Sequence, residues 1–120
     1  MNYRVLIADE ALADIFGLVQ YIHTELCNPD AAEKLYDNLN RETKNMGDFP
    51  LKFSDSGIKY RGYIIHKKVY ESYLIFYIIN SEKQEVYVLR VIKDLMNWGK
   101  ILDRTKIYHF SSYNKKMWSK

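Results

Sequence analysis

The chain has 120 residues, enough for one domain around one core, and its 48% apolar and 28% charged composition excludes a disordered chain. No apolar run approaches the ~20 residues of a membrane span. The single Cys27 excludes an internal disulfide, which suits a reducing cytoplasm. The net charge of +3 hides an asymmetry: residues 1–50 hold 4 Lys/Arg against 9 Asp/Glu, and residues 51–120 hold 14 against 6. A basic second half would face a polyanion or an acidic partner; the bland alternative is a solvated surface with chance asymmetry.

In chain order, Tyr3–Ile7 is a short β-rich run and predicts the first strand. It leads into acid rather than into the apolar core of a secretory leader. Asp9 is a candidate N-cap, and Leu12, Ile15, Phe16, Val19, Ile22 and Leu26 then recur at helical spacing. Asn28-Pro29-Asp30 stops this helix and starts a second, with Asn28 as cap and Pro29 at the first helical position. Ala32, Leu35, Leu39 and Met46 carry the second apolar stripe, and Gly47 and Pro50 end it. Two helices joined so tightly are antiparallel neighbours.

Leu51–Tyr60 reads as a polar loop. Tyr63–Tyr70 and Tyr73–Asn80 read as strands joined by the two-residue turn Glu71-Ser72, and the second of them, apolar on both faces, as a central strand. Glu85–Ile92 is the next strand, and Asp94–Leu102 a short helical piece with Trp98 and Leu102 one turn apart. The fold class predicted is α+β, in the order βααβββ. A helical hairpin packs on one face of a mainly antiparallel four-stranded sheet, with a short C-terminal helix and a basic tail. The division expected is a domain over 1–102 and a basic, aromatic extension over 103–120, in which Ile107–Tyr113 is either a fifth strand or mobile.

The sheet face away from the hairpin is expected to be open, and candidate functional residues are placed there. Strict alternation puts Val86, Val88, Arg90 and Ile92 on one face of their strand, so Arg90 would point to solvent or a partner, or be held in an ion pair with Glu82, Glu85 or a helix carboxylate. His66, Lys67 and Lys68 lie mid-strand. They read either as lysines guarding an edge strand or as phosphate contacts with His66 as a proton carrier. Arg61 and Lys93 extend the basic patch. Tyr63, Tyr70, Tyr73, Tyr77 and Tyr87 interleave with these cations, as bases stacked on aromatics would require, although tyrosine is also simply a good strand residue. One Cys and the scattered His23, His66 and His109 make no metal site, and nothing in the pattern asks for a cofactor.

The segments Asn28-Pro29-Asp30-Ala31-Ala32, Phe49-Pro50, Tyr73-Leu74-Ile75-Phe76-Tyr77 and Val88-Leu89-Arg90-Val91 followed by Trp98, in this order and spacing, resemble the RelE/ParE family of bacterial toxins over residues 3–102. The resemblance implies a small cytoplasmic toxin neutralised by a cognate antitoxin. RelE-like members cut messenger RNA on the ribosome; ParE-like members poison DNA gyrase. Many members carry a His-x-Arg-Arg-Asp-Trp-like segment after the last strand, where this chain has Lys93-Asp94-Leu95-Met96-Asn97-Trp98. The catalytic candidates that follow are Arg90, Lys93 and His66. The contacts to RNA or a partner would be Arg61, Lys67, Lys68, Tyr70 and Tyr77. Both toxic activities stay open, as does a homodimer. The alternative is a non-catalytic toxin fold that only binds an antitoxin.

Overall fold

A computed structural model describes residues 2–48 and 54–111. Phe49-Pro50 and the far tail, with Tyr113 and Trp118, lie outside the described residues. Strand β1 (Arg4–Ile7) leads into helix α1 (Asp9–Gln20), prolonged by a π-helical turn over Tyr21–Glu25. Helix α2 (Pro29–Lys44) follows, then strands β2 (Ser54–Tyr60), β3 (Tyr63–Tyr70), β4 (Tyr73–Asn80) and β5 (Glu85–Lys93), and helix α3 (Trp98–Arg104). The sheet order is β1-β5-β4-β3-β2, with β1 parallel to β5 and every other pair antiparallel.

The α1–α2 hairpin covers one sheet face, as its two apolar stripes require. Ala11, Ile15, Leu35, Leu39 and Met46 pack on Val5, Ile7, Tyr73, Ile75, Tyr77, Val86, Val88 and Val91. Asn28 caps α2 as expected: its side-chain oxygen accepts from the Ala31 amide at 3.1 Å, with Pro29 opening the helix. Asp9 does not cap α1; Ala8 holds that position and the Asp9 carboxylate is used elsewhere. Nor is Gly47 a left-handed cap. It lies in a 3-10 turn and accepts the Tyr3 amide at 2.9 Å, so that β1 passes directly over it.

The sheet has five strands where the sequence pattern predicts four, because Ser54–Tyr60 is a strand rather than a loop. It is a polar edge strand, bulged around Gly57 (φ 87°), so it carries no apolar alternation strong enough to be seen. The turn after it does carry a signal. Arg61 and Gly62 both have positive φ (50° and 86°), as a type I′ hairpin requires. With β2 in place β3 is an inner strand, not the expected edge. The Glu71-Ser72 hairpin and the central position of β4 agree with expectation.

The second face is not open either. Ile65, Leu74, Phe76, Ile78, Leu89 and Ile92 are buried there under Leu102 of α3 and Tyr108 of the following segment. This is why Tyr73 to Ile78 are all buried: each alternate set has its own cover. α3 begins only at Trp98, capped by the Asn97 side chain, so the predicted helical piece over 94–102 is half turn, half helix. Trp98 is half-buried, 5.3 Å from the Phe76 ring centroid. Trp98→Ala should cost about 2 kcal/mol, less than a fully buried aromatic would. A melting temperature equal to that of the parent would show that α3 is not anchored there.

Candidate functional site

Arg90 decides how the site is read. A register shift in the β4–β5 ladder places Phe76 opposite Arg90 but Tyr77 opposite Val88, so Leu89–Arg90 is a bulge. The bulge breaks the alternation. Val88 and Val91 face the hairpin and Leu89 and Ile92 the second layer, so Arg90 does not share a face with Ile92 as the sequence predicts. The guanidinium instead turns to α1, where Nε and Nη2 donate to the two oxygens of Asp14 at 2.7 and 2.8 Å. Nη1 donates to Thr105 Oγ1 at 3.0 Å, and Asp14 also accepts the Val91 amide at 3.0 Å. Both side chains are mostly buried, 19% and 15% exposed. The hydrogen bonds from Arg90 to Asp14 outweigh the cost of burial and raise the Arg90 pKa. Of the alternatives for Arg90, the structure therefore has the ion pair with a helix carboxylate.

The other predicted site residues are also engaged. His66 faces the hairpin side and stacks on Tyr77 at 5.3 Å, while Lys68 on the same face pairs with Glu42 of α2 at 2.7 Å. Lys67, on the second face, lies 4.9 Å from the Trp98 ring centroid. Lys93 sits over Tyr73 and Arg61 over Tyr60, each at 5.3 Å. Tyr77 is fully buried and cannot stack on a base; Tyr70 is half-buried against the hairpin-side core. Tyr87 donates to Glu85, and burial together with that hydrogen bond pushes its pKa up to about 12, so it stays a neutral phenol in water near neutrality. Lys68→Ala should lower stability by less than about 1 kcal/mol, since its pair with Glu42 is partly exposed to solvent. A larger loss in a thermal melt would mean that Lys68 holds α2 on the sheet.

His66 does not converge with Arg90, since their strands are two apart, about 10 Å between backbones. Lys93, three residues beyond Arg90 on β5, lines one cleft with it. What the fold does assemble, and the sequence reading missed, is a groove of about 600 Å³ between α1 and the end of β5. Its walls are Leu18, Tyr21, Ile22, Leu26 and Met96, with Arg90–Asp14 and Lys93 in the lining. A signal for it exists in the sequence: Gly17 interrupts the apolar run of α1, and an added Cβ there would meet nothing within 4 Å. Among the described residues, no group of three His, Cys, Asp or Glu is placed to hold a metal ion, and no helix is long and apolar enough to cross a membrane.

A helical hairpin laid on a mixed five-stranded sheet is a fold this chain shares with solved toxin–antitoxin structures. Two of the solved structures that the chain resembles serve as examples. One is the chromosomal ParDE system from P. aeruginosa, with a TM-score of 0.62 and 14% identity over 76% of this chain and 95% of that one. The other is the RelBE2 toxin–antitoxin complex from Mycobacterium tuberculosis, with a TM-score of 0.52 and 19% identity over 78% and 92%. No curated protein matches by sequence. The family model described as the ParE toxin of the type II toxin–antitoxin system parDE matches residues 5–98, and the chain belongs to that family of toxins.

Proposed function

We propose that this toxin arrests growth by binding a protein target, DNA gyrase, rather than by cutting messenger RNA, and that a cognate antitoxin neutralises it. The observation that carries the reading is the state of Arg90, whose guanidinium is committed to Asp14 and Thr105, while His66, two strands away, stacks on Tyr77 and Lys93 sits over Tyr73. Cleaving RNA needs the 2′-hydroxyl activated, the phosphate charge stabilised and the leaving oxygen protonated, all within hydrogen-bond reach of one phosphodiester. An arginine held by Asp14 and a histidine two strands away do not supply that. Leu95 and Met96, exposed where the family resemblance would place arginines, add apolar surface instead. Apolar surface suits a protein partner.

Membership of the parDE toxin family and the likeness in fold to a ParDE system support the ParE-like branch. The test sets purified protein against gyrase supercoiling of plasmid DNA and against messenger RNA on translating ribosomes. The expected outcome is lost supercoiling or accumulated DNA breaks, with intact messenger RNA. Messenger RNA cleavage with gyrase unaffected would overturn the reading, and no effect in either assay would favour a fold that only binds its antitoxin.

A further inference from the structure

Residues 105–111 lie beyond the stretch matched by the family, and the fold receives them as it would receive a peptide. The two carboxylates that open α1 read their backbone. Glu10 accepts the His109 amide at 3.0 Å, and Asp9 accepts the Ser111 amide at 3.2 Å. The Asp9 amide donates back to the His109 carbonyl at 2.7 Å. Contacts two residues apart on one side mean that the segment is extended, and its alternate side chains turn inward. Tyr108, only 7% exposed, meets Tyr60 edge-on at 4.9 Å, and Phe110 meets Tyr87 edge-on at 5.3 Å. Between them His109 stays outside and places Nδ1 2.7 Å from Glu10. Backbone groups satisfied from one side and alternate aromatics seated on the other is how extended peptides are recognised.

We propose that the slot formed by Asp9, Glu10, Tyr60 and Tyr87 is a docking site for an extended aromatic–x–aromatic peptide, filled in cis by Tyr108-His109-Phe110, and that this segment is a displaceable strap over the second face of the sheet. The inference does not depend on the toxin's target. Its tether is the short stretch from Thr105, which leaves α3 in an extended conformation. Such a tether gives an effective concentration in the millimolar range, so a free peptide competes with the strap of the intact chain only at comparable concentration.

The latch also has a pH window. The groups facing His109 are Glu10 and Asp9, and its hydrogen bond to Glu10 raises its pKa above the ordinary 6.5. For Glu10, burial acts to raise the pKa, but the hydrogen bonds from His109 outweigh it and the net shift is downward. The charged pair is therefore complete between the two titrations. It weakens as pH rises through the raised His109 value, and again as pH falls through the lowered Glu10 value.

The experiment uses the full chain and a fluorescent peptide of residues 105–111. Tyr108→Ser with Phe110→Ser empties the aromatic seats, and this variant should bind the peptide at least tenfold more tightly than the parent. Adding Glu10→Gln should remove the gain. In parallel, amide exchange is followed in the parent and in His109→Ala, where protection of the 109 and 111 amides should fall at least tenfold while β4 is unchanged. A folded double variant that binds no peptide would overturn the proposal. If that variant does not fold, the exchange result decides: strap amides that exchange only with global unfolding would make the segment an inseparable part of the core.

Discussion

Gly47→Ala should destabilise the protein by about 3 kcal/mol or more, at the upper end of what overpacking costs. A Cβ built on Gly47 would lie 2.2 Å from the Tyr3 carbonyl oxygen and 3.1 Å from the nearest methyl of Val5. The first contact is with backbone, so no side-chain rotamer relieves it. Either β1 lifts from the end of α2, breaking the bond from the Tyr3 amide to Gly47, or the 3-10 turn shifts and carries buried Met46 with it. β1 is held in the sheet through β5 alone, so it yields first. For a domain of this size the loss corresponds to roughly 10 °C in melting temperature. A thermal melt of the variant within two degrees of the parent would show that β1 does not need this close approach.

Asp14→Ala should cost about 3 kcal/mol, and more than Arg90→Ala. Removing the carboxylate strands two donors at once: a guanidinium that is mostly buried and the Val91 amide in the middle of β5. Removing Arg90 leaves Asp14 still accepting from Val91, with an edge toward the groove from which water can reach it. The partial exposure of both partners keeps the figure at the low end for breaking a buried pair. Denaturant melts of the two single variants and of the Asp14→Ala, Arg90→Ala double variant give the order and the coupling. Equal costs for the two single variants would mean that the bond to Val91 contributes nothing. If Arg90→Ala also abolishes growth arrest while remaining folded at the assay temperature, the ion pair has a functional part and the protein-target reading loses its main support.

The sequence by itself determined the helical hairpin, the Asn28-Pro29 junction, the central strand Tyr73–Asn80 and the resemblance over residues 3–102. Each rests on local physics, namely apolar spacing, a cap and a stiff first residue, or apolar residues on both faces of one short run. Three things were decided only by the tertiary structure. Ser54–Tyr60 is a strand because β3 offers it hydrogen bonds, not because its own residues favour one. Arg90 turns to Asp14 because a bulge shifts the phase of β5 by one residue, and a carboxylate 76 residues away in sequence stands opposite the result. The second sheet face is closed because α3 and the segment through Tyr108 fold back over it, so Lys67 lies over Trp98, while on the hairpin face Lys68 pairs with Glu42 and Tyr77 is buried. Period-two reasoning assigns side chains to faces correctly only while the register holds and only where nothing further packs on that face. Both conditions depend on residues distant in sequence, and the candidate site sits where both fail.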